Sequence, residues 1–323
     1  MTSAAESERE PRVVAVVVAY NRSALLSQAL DGLAAQLRRP AAVVVVDNAS
    51  TDDSGAVAAA HSAVTEVVTM PCNTGGAGGF AAGIARAVVT HRADLVWIMD
   101  DDTVPGPSAL LELLRARSAY RGTPAVLASR ADWHDGREHP MNAPRERVGV
   151  SRELRDNALA VGAKQIRSSS FVSILIDSRA VREDGLPEAG YFLWNDDFEY
   201  TARLLRDRVG LYVPASRVTH LTKVFGASNA DPGPRFFNEV RNKLWLFTRS
   251  DALGAADRVL YAGSSLRRWA ATLARSDDRR ALLGHLRRGV SAAAEPPPST
   301  SEVLAGTPVE GDVRAILSEV SHA

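Results

Sequence analysis

Three short runs of carboxylates, amides and glycines each lie beside an apolar stretch, and their residue types suit a divalent cation and a phosphorylated ligand. In Asp100-Asp101-Asp102, the alternation of extended chain lets Asp100 and Asp102 face one metal while Asp101 points elsewhere. Hard carboxylate oxygens suit Mg²⁺ or Mn²⁺ bridging a diphosphate. Three adjacent carboxylates at the mouth of an apolar strand repel one another, and a cation is the simplest compensation. For the triplet alone, a solvated acidic turn capping a helix over 109–119 is the competing reading.

The second run, Asn73-Thr74-Gly75-Gly76-Ala77-Gly78-Gly79-Phe80, allows backbone to approach a ligand closely ahead of a helix N-terminus that favours anions. It lacks the Gly-Lys-Ser/Thr of a P-loop and the spacing of a dinucleotide fingerprint, and a surface turn is the plainer alternative. In the third run, Trp194-Asn195-Asp196-Asp197-Phe198, Asp196 and Asp197 open a helix over 201–208, where carboxylates are favoured electrostatically. Flanking Trp194 and Phe198 would shield them and raise their basicity, which exceeds what capping needs.

These runs need a scaffold that brings them together. Val13–Ala19, Val43–Val46 and Leu95–Met99 are continuous apolar runs ending at polar clusters, as buried parallel strands do. Ser23–Leu37 carries leucines at helical spacing with Ser23 as its N-cap, and helices are predicted over 54–62 and 79–91, with a short strand over 64–69. Repeated βα alternation argues for a mostly parallel sheet whose ligand crevice lies at the strands' carboxyl ends, where these clusters sit. A single return strand is predicted over 164–177 and another over 211–214. The polar stretch 133–156 is too long for an ordinary connection and reads as a mobile loop or insertion.

Bulk properties limit the alternatives. The chain has 323 residues, is 46% hydrophobic and balances 38 basic against 38 acidic side chains, so it can bury a large core and has no overall field drawing it to nucleic acid. One cysteine, Cys72, excludes a disulfide framework and fits a reducing compartment. No run approaches the roughly 18 apolar residues of a membrane span, so a cytoplasmic protein is expected.

The ordered set Ala19-Tyr20-Asn21-Arg22, Val46-Asp47-Asn48-Ala49-Ser50, the glycine loop, Asp100-Asp101-Asp102 and Trp194-Asn195-Asp196-Asp197 resembles family-2 inverting glycosyltransferases over about residues 13–250. The Gly-Gly-Ala-Gly-Gly-Phe loop is most similar to bacterial galactofuranosyltransferases, especially those initiating actinobacterial galactan. The resemblance implies a GT-A nucleotide-sugar fold and a UDP-sugar donor. Asp47 would accept from the uracil ring, Tyr20, Arg22 and Asp101 would belong to the nucleotide pocket, and Asn73, Gly75 and Gly76 would approach the donor. Asp100, Asp102 and His220 would hold Mn²⁺ or Mg²⁺, although a lone His is commonly structural. Asp197 would be the base, Asp196 would position the acceptor or that base, and Arg241-Asn242 would close over the acceptor or diphosphate. The donor sugar would be galactofuranose and the acceptor a polyprenyl-linked glycan.

Four segments follow: a flexible terminus over 1–12, the catalytic domain over 13–250, a basic amphipathic helical region over 251–291, and a Pro-rich linker and tail over 292–323. The third could lie on an anionic bilayer at the inner face of the plasma membrane or pack on the catalytic domain. Rival readings are a dTDP-rhamnose-dependent rhamnosyltransferase, a nucleotidyltransferase, whose usual basic triphosphate loop is missing, and a noncatalytic nucleotide-sugar-binding module. The oligomeric state is left open.

Overall fold

A computed structural model describes residues 10–222, 225 and 232–320. The chain opens with β1 (Val13–Ala19), α1 (Ser23–Ala34), β2 (Ala42–Asp47), α2 (Ser54–Ala60), β3 (Glu66–Thr69), α3 (Gly75–Val89) and β4 (Leu95–Asp100). Then come β5 (Thr103–Pro105), α4 (Ala109–Ala119), β6 (Val126–Asp132), β7 (Arg145–Glu146), α5 (Arg152–Ala160), β8 (Lys164–Ser168) and β9 (Ser173–Asp177). The remainder is α6 (Ser178–Asp184), α7 (Asp196–Leu204), β10 (Gly210–His220), α8 (Phe236–Thr248), α9 (Ala255–Arg275), α10 (Arg279–Ala292), α11 (Thr300–Val303) and α12 (Glu310–Val320).

The strands form one sheet in the order β3-β2-β1-β4-β9-β6-β10-β8-β7, with β5 added to β10. Pairing is parallel across β3-β2-β1-β4 and between β6 and β10, whereas β9 runs antiparallel to both of its neighbours. Every residue of β1 is buried because helices cover both faces. Val14, Val16 and Val18 enter one core under α3, while Val13, Ala15, Val17 and Ala19 enter the other under α1 and α4. That two-sided burial is why the strand reads as a continuous valine run.

Several expectations change in detail. Ser23 is the first residue of α1, and the cap position is Arg22, which makes no side-chain cap. The orphan amides of that first turn are satisfied from elsewhere: Arg22 N donates to Ser54 Oγ and Ser23 N to Asp52 Oδ2. The predicted strand over 164–177 is two strands, β8 and β9, set on opposite sides of the β6-β10 pair. The strand over 211–214 continues to His220, with a register shift between Val213 and Arg217.

The stretch 133–156 is folded in place. Its start turns back on itself through Trp133 N to Arg137 O and His139 N to Ala131 O, and Arg145–Glu146 pair with β8. The terminus splits: 1–9 lie outside the described residues, while Arg12 is tied to Asp94 and His91. The segment expected as a linker and tail carries α11 and α12, and Leu304 and Val309 of their connection with Val313 and Ile316 of α12 complete the core over α3 and α6. A capping box between Ser299 and Glu302 starts that region.

In the basic region, α9 and α10 form the expected helical pair. Of α9 only Ser265 and Trp269 are buried, and Trp269 packs with Phe236, Val240 and Leu282. Val259, Leu260 and Leu266 stay exposed. Among the described residues no helix is long and apolar enough to cross a membrane.

Candidate functional site

Register assembles the site. Asp47 pairs with Ala19 and Asp100 with Val18 on three adjacent parallel strands, so both carboxylates stand at the same carboxyl edge, where the crevice of an open α/β sheet lies. His220 ends β10 opposite Thr103 of β5, which returns it to the segment just past the aspartates.

Asp100, Asp102 and His220 offer ligand atoms that all lie within 4.8 Å of one another. His220 Nε2 is 3.1 Å from Asp102 Oδ1, close enough for one ion pair or for the two atoms to share one cation. His220 Nδ1 donates to Asn142 Oδ1 at 2.9 Å, which leaves the Nε2 lone pair for a ligand. Two carboxylates and one neutral imidazole fit Mn²⁺ well and Mg²⁺ acceptably.

The electrostatics agree. Burial, reinforced by Asp102, pushes Asp100 up to about 7, and burial pushes Asp101 up to about 6 against the opposing Tyr20 amide and Arg22. Burial would raise Asp102 as well, but His220 and Arg22 outweigh it and hold it low. Burial likewise disfavours charge on His220, and Asp102 more than offsets this and raises it. A cation would replace that proton as the compensating charge.

Asp101 lies with Asp102 in the turn between β4 and β5 rather than in extended chain, and it is not one of the three clustered ligands. It accepts from Tyr20 N at 3.0 Å and Arg22 Nη1 at 3.1 Å, and Arg22 also reaches Asp102. Asp101 therefore anchors the turn after β1. Tyr20 contributes a backbone amide there while its side chain stays exposed.

The glycine run is the first turn of α3, not a loop ahead of a helix at Gly79, and its glycines serve packing. Gly75, at φ +71°, lies so close to the Phe192 carbonyl that a Cβ has no space, and a Cβ on Gly79 would meet Val18 Cγ1 at 2.5 Å. Gly76 is the one facing the site, with Asp196 Oδ2 3.8 Å from where its Cβ would be. Asn73 Oδ1 accepts from Gly75 N at 2.8 Å. Asn48, missed as a site residue, organises the whole turn: it accepts from Thr74 N and Oγ1 and donates to Gly75 O. Its place directly behind Asp47 was the available signal. Asn142 had none, because only the fold carries the 133–156 stretch to His220.

Asp196 and Asp197 begin α7, behind Asn195 in the left-handed conformation. Burial, with Asp197 and then Asp100 adding, holds Asp196 well above the usual carboxylate range. Asp196 is thus near enough to Asp100 for the two carboxylates to feel each other's charge. Asp197 instead lines a cavity of about 300 Å³ with Arg145, Ser168, Asn195, Phe198, Lys243 and Tyr261. Burial raises it too, against the Phe198 amide and Arg145. Arg241 and Asn242, expected over the acceptor or diphosphate, turn to the 190–194 backbone: Arg241 Nη2 reaches Tyr191 O at 3.0 Å, and Asn242 Nδ2 reaches three carbonyls.

Residues 14–162 match the family described as Glycosyl transferase family 2. Over 198 residues, 60% of this chain, the sequence is 28% identical to galactofuranosyltransferase GlfT1 of Mycolicibacterium smegmatis and 32% identical to galactofuranosyltransferase GlfT1 of Mycobacterium tuberculosis. It covers 65% and 64% of those relatives, just under two thirds of their length. Among solved structures, S. aureus TarS 1-349 in complex with UDP matches at TM-score 0.59 and 14% identity over 96% of this chain and 88% of that one. The mannosyltransferase PcManGT from Pyrobaculum calidifontis in complex with GDP-Man and Mn²⁺ matches at 0.54 and 17%, over 97% and 88%. These likenesses establish a GT-A-like glycosyltransferase fold. The family match takes in the aspartate triplet and α3, whereas Asp196, Asp197 and His220 lie beyond it.

Proposed function

We propose that this chain, whose residues 14–162 form a glycosyl transferase family 2 domain, is an inverting glycosyltransferase moving galactofuranose from UDP-galactofuranose to a polyprenyl-linked glycan in cell-wall galactan or polysaccharide synthesis. The observation that carries the reading is the cluster Asp100, Asp102 and His220 at the strand ends, with the buried Asp196 beside the half-buried Asp197, which lines a cavity. The choice of sugar rests on the similarity to GlfT1.

Asp100, Asp102 and His220 would hold Mn²⁺ or Mg²⁺, which would offset the negative charge growing on the donor diphosphate as the sugar leaves. In the reading Asp47 faces the uracil and Tyr20 and Arg22 border the nucleotide, with Asp101 fixing their turn; Asn73 and Gly75 shape the α3 terminus, and Gly76 approaches the donor. Asp197, on the cavity side, takes the proton from the acceptor hydroxyl as its oxygen attacks the anomeric carbon. The bond to the diphosphate breaks in the same displacement, so configuration inverts and no covalent intermediate forms. Asp196, whose carboxyl burial pushes upward, positions the acceptor or the base itself.

The acceptor side suits a lipid-linked substrate. Residues 255–292 hold eight arginines against three aspartates in a chain of zero net charge, next to the exposed Val259, Leu260 and Leu266. An anionic bilayer at the inner face of the plasma membrane fits that surface. A donor screen with a synthetic polyprenyl-linked acceptor and Mn²⁺, with the product linkage read by NMR, tests the reading. Transfer from UDP-galactofuranose supports it; transfer from dTDP-rhamnose alone replaces the sugar, and undiminished transfer in EDTA removes the metal.

A further inference from the structure

The turn leading into Asp196 and Asp197 is conformationally costly. Phe192, Trp194 and Asn195 all have positive φ, at 63°, 74° and 64°, and Phe192 pairs its φ with ψ −63°, a strained γ-turn geometry for a residue with a side chain. Such backbone persists only where its surroundings over-determine it.

One side chain makes most of the polar contacts to the carbonyls of that turn. Asn242 is fully buried on α8, and its Nδ2 donates to Tyr191 O at 2.9 Å, Leu193 O at 3.0 Å and Trp194 O at 2.7 Å. Two hydrogens serve three carbonyls, so one is shared. Arg241 Nε donates to Asn242 Oδ1 at 3.0 Å, which fixes the amide orientation. One turn earlier, Glu239 Oε2 accepts from Asn195 Nδ2 at 2.9 Å, and Glu239 Oε1 faces Trp269 Nε1 of α9 at 3.3 Å. The carbonyls of 191, 193 and 194 are thus gathered onto α8 immediately before the two aspartates, while Phe192 O accepts from Ala77 N of α3.

We propose that Asn242 is a positioning residue: by holding the left-handed turn 192–195 against α8, it sets where Asp196 and Asp197 stand. The inference rests on the reading of Asp197 as the base, yet the holding itself is measurable without any substrate. Aspartate at 242 keeps the shape and removes the donors, whereas alanine removes both.

Hydrogen exchange by mass spectrometry on the full chain, wild type against Asn242→Ala and Asn242→Asp, is the first measurement. The 191–199 amides should exchange at least about tenfold faster in both variants, with β1, β4 and α3 unchanged. With a donor that the wild type turns over, kcat should fall on the order of a hundredfold while metal-assisted UDP affinity stays within about twofold, because displacement of the base leaves donor binding intact. Val313→Ala, a packing change on α12, should lower stability without that split. Unchanged exchange at 191–199, or a kcat loss matched by Val313→Ala, overturns the proposal. Should Asn242→Ala not fold, Phe192→Gly/Asn242→Ala relieves the strained position: a folded double variant of low kcat supports the assignment, and one that stays unfolded shows that Asn242 only fills the core. A wild type inactive with every donor would sink the functional reading and leave the exchange result standing.

Discussion

The two aspartate sites divide the labour by where each carboxylate points. Asp102 sits in the cluster with Asp100 and His220 and Asp197 lines the cavity, so under the proposed reading their loss should show in different measurements. Asp197→Ala should lower kcat by about 10²–10⁴-fold and spare metal-assisted UDP binding, whereas Asp102→Ala should weaken that binding itself. Calorimetry finding unchanged UDP affinity with Mn²⁺ in Asp102→Ala would contradict the ligand assignment. Burial also gives Asp196 and Asp197 a pH signature. Both are held above the usual range, so the folded state keeps protons that the unfolded chain releases near pH 3.9, by about the ordinary value. Their contribution to stability is complete below that pH and is lost as pH rises through the elevated folded values. Urea midpoints in EDTA from pH 4 to 8 should therefore fall more for wild type than for Asp196→Asn/Asp197→Asn, and parallel curves would refute this.

Helix α3 sits unusually close to the sheet, and at the level of elements that closeness aligns its first turn with β1 and β4. A Cβ on Gly83 would collide with Val16 Cγ1 and come within 3.1 Å of Val46 Cγ2. Gly83→Ala should cost about 1–3 kcal/mol by overpacking, and a denaturation curve matching wild type would show that the helix can lift without penalty. The C-terminal helix α12, in the stretch expected as a linker and tail, packs into the core: Ile316 is fully buried, and Arg86 of α3 pairs with Asp312 at 3.2 Å. Ile316→Ala should cost about 2–5 kcal/mol, readable as a lower urea midpoint with unchanged m-value. The strands beneath were legible because their burial on both faces writes itself as unbroken valine runs. The split of 164–177 was not, since apolar residues do not say which neighbour each half will choose.

Across the whole molecule, charge is balanced in total and uneven in placement. The exposed apolar residues of α9 lie among the arginines of 255–292, so sedimentation with vesicles containing anionic lipid should exceed that with neutral vesicles and fall with added salt. Equal binding to neutral vesicles, or none to either, would return α9 and α10 to a purely packing role. The sequence by itself determined the fold class and the local chemistry, because strand burial, helix period and runs such as Asp100-Asp101-Asp102 depend on neighbours a few residues away. It also marked His220 and Asp197, through resemblance rather than geometry. Only the tertiary structure decided which groups share a site. Register brought Asp47 to within one residue of Asp100 at the same sheet edge, β10 carried His220 back to Asp102, and, on the proposal above, packing of α8 on a strained turn aimed Asp196 and Asp197. The glycines, read as room for a ligand, proved mainly to be room for the sheet and for Phe192, since local flexibility leaves open which neighbour will use it.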